Sequence, residues 1–191
     1  EHLDLSRVRV ESTTTSPLYT RYCEELFRLR HRKGVTRELA RSRLKDPNYF
    51  GAMMVHMGDA DGLLSGLTMS YPQTLRPALE VIARAPGREI VAGLFLVVVH
   101  NELYFLADTT VNIEPSADQL VEIALLAAEF ARTLDVEPRV AMLSFSDFGS
   151  VRHPLARKVG EAARLLRERD PRLQVDGEMQ ADTAVEPSKL T

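Results

Sequence analysis

The sequence has little cysteine, no tryptophan and no apolar run long enough to span a bilayer. The single cysteine, Cys23, excludes an internal disulfide bond and is typical of a reducing compartment, so we predict a cytoplasmic protein. The longest apolar run, residues 90–99, is far shorter than the roughly 20 residues that a transmembrane helix needs. The sequence therefore predicts no membrane partner.

An excess of positive charge is also lacking. The formal net charge is −3, whereas proteins that bind nucleic acid usually carry a basic excess, so no nucleic-acid partner is predicted. The five histidines do not have the spacing of metal ligands, so no metal site is predicted. The chain starts at Glu1 without methionine or a signal peptide and stops at Thr191 without a closing element, so we expect an incomplete piece of a longer protein.

Capping residues and apolar periodicity predict alternating helices and strands, which favours a layered α/β fold. Thr36, Asp46 and Thr74 are predicted N-caps, because their side chains accept hydrogen bonds from the free N–H groups of a first helical turn. Ser116 and Gln119 have the spacing of a capping box. The helix that follows is apolar nearly all round, which predicts burial within the fold or at a subunit interface.

A change of composition predicts a boundary between two parts of the chain, residues 1–87 and residues 88–191, which we interpret as parts of two lobes. Residues 62–65 are predicted as a short buried strand. Residues 90–99 are β-branched and continuously apolar, as in a strand covered on both faces. They are expected to form a hairpin with residues 103–107.

The first candidate ligand-binding loop covers residues 65–77. Ser70, Thr74 and Arg76 combine hydroxyl groups, a predicted helix N-terminus and a guanidinium, which are the components of a phosphate site. The alternative is that Thr74 is only a helix cap and Arg76 a solvated residue of the first turn.

The second candidate loop covers residues 144–150, between a predicted strand and a predicted helix. Its polar and flexible residues are Ser144, Ser146, Gly149 and Ser150, and an anion or a polar carbonyl could dock there. The alternative is an ordinary connection capped by serine. No Gly-Lys-Ser/Thr sequence follows, so the loop is not a Walker phosphate loop.

A third stretch, residues 176–184, has three carboxylates after a predicted strand. Asp176, Glu178 and Asp182 could perform acid–base work or position a substrate. The alternative is a helix N-terminus with favourably placed acidic residues.

Taken in order, several stretches resemble the phosphate acetyl/butyryl transferase family over nearly the whole chain. The stretches are residues 29–36, 49–54, 61–66, 74–78, 140–146, Gly149 with Ser150, and 176–182. The resemblance implies a two-lobed fold like that of isocitrate and isopropylmalate dehydrogenases, present here as an incomplete fragment. It also implies a dimer. The apolar helix after Ser116 and the apolar residues 90–99, in a chain too short to cover both, predict a dimer or larger homo-oligomer.

The same resemblance implies acetyl-CoA or acetyl phosphate as ligand. By motif position, Arg30 and Arg76 match family arginines that recognise CoA and the phosphoryl group. Ser144, Ser146 and Ser150 match a hydroxyl-rich turn on the other side of the family's cleft. The family's catalytic segment would lie beyond the end of this chain, so no catalytic residue is predicted within it, and no cofactor.

One loop departs from the pattern of active family members, which resemble His-Ser-Thr-Ala-Asp-Thr where this chain has Met69, Tyr71 and Pro72. This variant resembles the acetyltransferase-like domain at the C-terminus of NADP-dependent malic enzymes. It predicts an inactive, acetyl-CoA-sensing and assembly-promoting domain, whose parent oxidoreductase would use NADP and Mg or Mn. An active phosphate acetyltransferase and a pure oligomerisation module remain the alternatives.

Overall fold

A computed structural model describes residue 6 and residues 8–186. Glu1 and Thr191, on which the prediction of an incomplete piece is based, lie outside these residues. The chain divides into two compact units, Glu1–Ala85 and Pro86–Thr191. The interpretation of the units as parts of two lobes stays a prediction.

The first unit is helical over the residues described. It contains α1 (Tyr19–Arg30), a 3₁₀ turn (His31–Lys33), α2 (Arg37–Arg43), α3 (Pro47–His56) and α4 (Tyr71–Val81).

Two predicted caps in this unit are confirmed. The Thr36 hydroxyl oxygen accepts a hydrogen bond from the Leu39 N–H at 3.2 Å, and the Asp46 carboxylate accepts one from the Asn48 N–H at 2.8 Å. Both caps are local, so the sequence was sufficient to predict them.

Two other predictions for the first unit are wrong. Residues 62–65 form an irregular segment rather than a buried strand, and Leu64 is fully exposed. The fourth helix begins at Tyr71 instead of after Thr74, because the Gln73 side chain accepts a hydrogen bond from the Ser70 N–H at 3.0 Å. Ser70 and Gln73 form the capping box that sets the start of α4.

The core of the first unit lies between α1, α2 and α3. Its buried side chains include an aromatic pair, Tyr22 with no exposed surface and Phe50 with 3%, whose ring centroids lie 5.1 Å apart. The other large members with no exposed surface are Leu26, Leu44 and Met53. Burial of such side chains is the main stabilising contribution within this unit.

The second unit begins with an antiparallel hairpin of β1 (Leu94–Val99) and β2 (Glu102–Ala107). The predicted hairpin is confirmed, and its turn is formed by His100 and Asn101, which both have positive φ values. The predicted coverage of both faces is wrong for the residues described, because Phe95 is 50% and Val98 65% exposed. Apolar composition alone did not reveal what covers this hairpin.

The rest of the second unit is a small parallel α/β layer. It consists of α5 (Ala117–Thr133), β3 (Arg139–Leu143), α6 (Pro154–Arg169), β4 (Gln174–Met179) and the short α7 (Ala181–Val185). Strands β3 and β4 pair in parallel, and α5 and α6 bury Val121, Ala162 and Leu166 in the core beside them. The Ser116–Gln119 capping box is present. The predicted mixed α/β class is thereby confirmed.

None of the helices in the described part of the chain has the length and apolar character needed to cross a membrane.

Candidate ligand-binding sites

Arg76 lies in the second turn of α4, and its guanidinium donates a hydrogen bond to Glu80, which lies one turn later in the same helix. Arg76 Nε donates to Glu80 at 2.8 Å, and the Arg76 side chain remains 66% exposed. The same carboxylate accepts from the Tyr49 hydroxyl at 2.8 Å and from Arg43 at 2.5 Å. Glu80 is therefore the centre of a cluster that orients Arg76.

The surroundings of Glu80 set its protonation. Burial raises the pKa of Glu80, but the hydrogen bonds from Arg76 and Tyr49 and the charge of Arg43 outweigh it, so the pKa lies below its ordinary value of 4.5. Burial, followed by the neighbouring Glu80, raises the pKa of Tyr49. At neutral pH the cluster is an ionised carboxylate with cationic and phenolic donors.

The Ser70 and Thr74 hydroxyl groups, which are predicted to bind a ligand in the first loop, make local hydrogen bonds. The Ser70 hydroxyl donates to the Gln73 side chain at 2.8 Å, and the Thr74 hydroxyl donates to the Ser70 carbonyl at 3.4 Å. Since α4 starts at Tyr71, Arg76 is not a residue of the first turn. The predicted helix start at Thr74, beside Arg76, is therefore wrong.

Arg30 is the last residue of α1. Its Nε atom is buried and has no hydrogen-bond partner among the residues described. A buried donor without a partner is costly, so this N–H group implies an acceptor that is not among those residues.

Residues 144–150, here named the serine loop, follow β3 at the carboxyl ends of two parallel strands. The Ser144 N–H donates to the Met179 carbonyl at 2.8 Å, which attaches the start of the loop to the end of β4. Open α/β sheets place ligands at this edge. The predicted strand-to-helix loop is therefore present at the expected place.

Glu178, a buried residue of β4, accepts hydrogen bonds from the serine loop. The Glu178 carboxylate accepts from the Gly149 N–H at 2.6 Å and from the Ser146 hydroxyl at 3.3 Å. Ser146 has no exposed surface, and its oxygen also accepts from the Val151 N–H at 3.1 Å. Ser146 therefore supports the loop from within.

Sequence reasoning missed the role of Glu80 altogether, and it singled out Glu178 as a candidate carboxylate without its contact to the serine loop. The first had a local signal, because Arg76 and Glu80 are four residues apart and such residues are neighbours on a helix surface. The second had none, because Glu178 reaches a loop that ends 28 residues earlier in the chain. In the part of the chain that the structure describes, no group of three or more His, Cys, Asp or Glu side chains is arranged to hold a metal ion.

Comparison with known proteins identifies the family. The sequence pattern of the family described as phosphate acetyl/butaryl transferase matches residues 1–190. The phosphate acetyltransferase of Synechocystis sp. is 43% identical over 184 residues, which cover 96% of this chain and 26% of that protein. The phosphate acetyltransferase of Acetivibrio thermocellus is 42% identical over 192 residues, which cover 97% of this chain and 58% of that protein.

Two solved structures are similar in fold. EutD phosphotransacetylase from Staphylococcus aureus superimposes with a TM-score of 0.83 at 36% identity, and a phosphotransacetylase from Streptococcus pyogenes with 0.82 at 38%. The superpositions cover 98% and 97% of this chain but only 58% and 59% of the solved chains. The chain thus spans less than two thirds of the length of these relatives.

These findings correct the predicted malic enzyme context. Relatives that match almost the whole chain are phosphate acetyltransferases, so the predicted NADP-dependent oxidoreductase is wrong. NADP and a divalent metal were predicted only as cofactors of that parent enzyme. The same relatives contradict the prediction of an inactive sensing domain, because they are named for acetyl transfer itself. The local variation at Met69 and Tyr71 was given too much weight against the similarity of the whole chain. The chain belongs to the phosphate acetyl/butaryl transferase family.

Proposed function

We propose that this chain is part of a phosphate acetyltransferase, which converts CoA and acetyl phosphate into acetyl-CoA and phosphate, and that it supplies cationic groups that bind the substrates. The similarity to named phosphate acetyltransferases over 96% and 97% of the chain supports this function. It favours the active enzyme over a bare oligomerisation module.

The reaction forms a C–S bond and breaks a C–O bond. The thiol of CoA gives up its proton to a base, the sulfur attacks the acetyl carbonyl carbon, and phosphate leaves with the electron pair of the broken bond. Positively charged donors near the carbonyl oxygen and the leaving phosphate lower the barrier by stabilising the charge that develops there. An arginine suits this role because its planar guanidinium pairs with two phosphate oxygens at once.

The buried Nε atom of Arg30 is the observation in the structure that carries the proposal. It is a charged donor group without an acceptor among the described residues, and a phosphate oxygen would satisfy it. Arg76 is the second candidate, because Glu80 engages its Nε and leaves a largely exposed guanidinium edge. We infer that both arginines contact phosphoryl groups of CoA or acetyl phosphate.

The test is a steady-state assay of acetyl-CoA formation with the full-length protein and its Arg30→Ala and Arg76→Ala variants. Loss of a charge-assisted hydrogen bond costs about 1.5–3 kcal/mol, so KM for acetyl phosphate or for CoA should rise about 10- to 100-fold in each variant. The fold should survive in Arg76→Ala, since an exposed helical arginine contributes little to the core.

Arg28→Ala is the matched control, because Arg28 lies two residues before Arg30 on the same helix, is 70% exposed and pairs with Glu25. Its kinetic constants should stay within about twofold of wild type. Unchanged kinetics in Arg30→Ala would remove this residue from the site. A full-length wild-type protein that forms no acetyl-CoA at saturating substrates would refute the proposed function.

We also propose that the units belong to a two-lobed fold and that the protein assembles with copies of itself. The β1–β2 hairpin supports assembly, because its exposed side chains are Phe95, Leu96, Val98, Val99, Leu103 and Leu106. Apolar patches of this kind commonly mark interfaces. Val98→Lys should lower the mass of the full-length protein measured by light scattering, and an unchanged mass would exclude the hairpin from the interface.

A further inference from the structure

We propose that Glu178 is a positioning residue for the serine loop, and that the loop receives a neutral hydrogen-bond donor of CoA rather than a phosphate group. Such donors in CoA are the thiol and the amide N–H groups of its pantetheine arm. This inference rests on the proposed acetyltransferase function.

The backbone of the serine loop has few N–H groups left for an anion. Each N–H from residue 147 to residue 151 donates to a partner within the second unit. The acceptors are the Ser150 hydroxyl, the Glu178 carbonyl, the Glu178 carboxylate, the Asp147 carbonyl and the Ser146 hydroxyl. A phosphate-binding loop needs N–H groups that point at the ligand, and these five point elsewhere.

Two carboxylates also oppose an anion at this loop. Glu178 lies beneath it, and Asp147 within it accepts from the backbone and side-chain N–H groups of Gln180 at 2.8 and 2.7 Å. A phosphate beside two carboxylates would meet like charge at close range, where repulsion is strongest. Phe145 and Phe148 are each about half exposed and add apolar surface. The loop therefore suits the neutral part of the substrate.

A chain of hydrogen bonds leads from the buried carboxylate to the surface. The Ser146 hydroxyl proton is directed to Glu178, so in the 3.3 Å contact between the two serine oxygens Ser150 is the donor. The exposed Ser150 oxygen then offers a lone pair to the outside and accepts a substrate N–H or S–H group. Glu178 determines the direction of these hydrogen bonds, because the Ser146 hydroxyl has no fixed acceptor for its proton without the Glu178 side-chain oxygen.

The end of the Glu178 side chain lies close to α6. A Cβ atom added at Gly160 of α6 would lie 2.5 Å from Glu178 Oε2, closer than real contacts allow. Alanine is otherwise favoured over glycine within a helix. Gly160→Ala is thus a means to displace the carboxylate without removing its charge.

The experiment measures KM for CoA and KM for acetyl phosphate separately in the full-length protein and in Glu178→Ala, Glu178→Gln and Gly160→Ala variants. Misplacement by about 1 Å can cost about 100-fold, so KM for CoA should rise at least about tenfold in Glu178→Ala and Gly160→Ala. KM for acetyl phosphate should stay within about threefold. Glu178→Gln keeps an acceptor oxygen for the Gly149 N–H and should stay within about threefold for both substrates. Glu161→Gln, an exposed carboxylate beside Gly160, is the control for loss of charge.

An independent measurement does not require activity. Amide hydrogen exchange of the segment that contains Gly149 should be faster in Glu178→Ala and unchanged in Glu178→Gln. Equal increases in both KM values, or unchanged exchange and kinetics in Glu178→Ala, would overturn the inference. An inactive wild-type protein that still shows the exchange difference would refute the proposed function and keep the positioning role. Titration with CoA and with inorganic phosphate would then test the ligand, and loss of phosphate binding in Glu178→Ala would contradict the inference.

Discussion

In each unit candidate ligand residues contact one carboxylate, half-buried at Glu80 and buried at Glu178, and the two carboxylates accept from different donors. In the first unit, Glu80 accepts from the side chains of Arg43, Tyr49 and Arg76. In the second, Glu178 accepts from a backbone N–H group and from a serine that itself supports the backbone. Side-chain donors can turn to water when the carboxylate is removed, but backbone donors in a packed loop cannot. The first arrangement therefore orients side chains, and the second determines the path of the chain.

Asp108 in the second unit provides the strongest test of this difference. Its carboxylate accepts from the backbone N–H groups of Gly93, Thr110, Val111 and Asn112 at 2.9–3.0 Å. Burial raises the pKa of Asp108, but these N–H groups outweigh it and keep the pKa below its ordinary value.

Asp108→Ala leaves several backbone donors unpaired, so the free energy of unfolding should fall by about 3–5 kcal/mol, the largest effect predicted here. Urea unfolding of the full-length protein would measure it. Asp135→Asn is the control, because Asp135 is exposed and asparagine tolerates its positive φ. A loss below about 1 kcal/mol in Asp108→Ala would show that these donors find other acceptors, and the comparison would fail.

The same contrast explains which features could be predicted from the sequence. The caps at Thr36, Asp46 and Ser116 depend on neighbours two or three residues away, and each was predicted correctly. The start of α4 is also determined by a local signal, the capping-box spacing of Ser70 and Gln73, but it was not predicted. The preference for Thr74 overlooked that signal.

Contacts between distant parts of the chain could not be predicted. The contact of Glu178 with the serine loop depends on the parallel pairing of β3 and β4, and the sequence indicates strands without their register. The exposure of the β1–β2 hairpin was missed for a similar reason, since a run of apolar residues does not specify what covers it. The predicted ligand residues of both units therefore stay predictions.

Acid unfolding should distinguish Glu80 from an exposed carboxylate. Because the pKa of Glu80 is lowered in the folded protein, its stabilisation is fully present above the ordinary value of 4.5 and is lost as the pH falls through the folded-state pKa. Glu80→Gln should lower the free energy of unfolding by about 1–2 kcal/mol at pH 7, and the difference from wild type should shrink as the pH falls well below 4.5.

Urea unfolding at neutral and at acid pH would measure this difference for each protein. Glu137→Gln is the control, because Glu137 is 78% exposed and its pair with Arg132 is long, at 3.5 Å. It should change stability little at either pH. If the difference in free energy of unfolding between wild type and Glu80→Gln is as large at acid pH as at neutral pH, the shape of Glu80 rather than its charge accounts for its role.

Two ion pairs of equal length give the smallest and most specific contrast. Arg43 with Glu80 and Arg164 with Glu168 both have nitrogen–oxygen distances of 2.5 Å. The first pair is only 18% and 13% exposed, whereas the second is 57% and 61% exposed. Water and salt screen an exposed pair, and ordering two long side chains offsets most of its attraction. Distance alone would predict equal contributions, but burial predicts unequal ones.

Replacement of each arginine by methionine retains most of the apolar stem while it removes the charge. Arg43→Met should cost about 1–2 kcal/mol, less than for an isolated buried pair, because Tyr49 and Arg76 still donate to Glu80. Arg164→Met should cost no more than about 0.5 kcal/mol, and 1 M salt should remove most of that difference. Urea unfolding at low and high salt would measure both. Equal losses in the two variants would mean that the donors around Glu80 are as well solvated as a surface pair, and that Arg76 is not held in one orientation by the cluster.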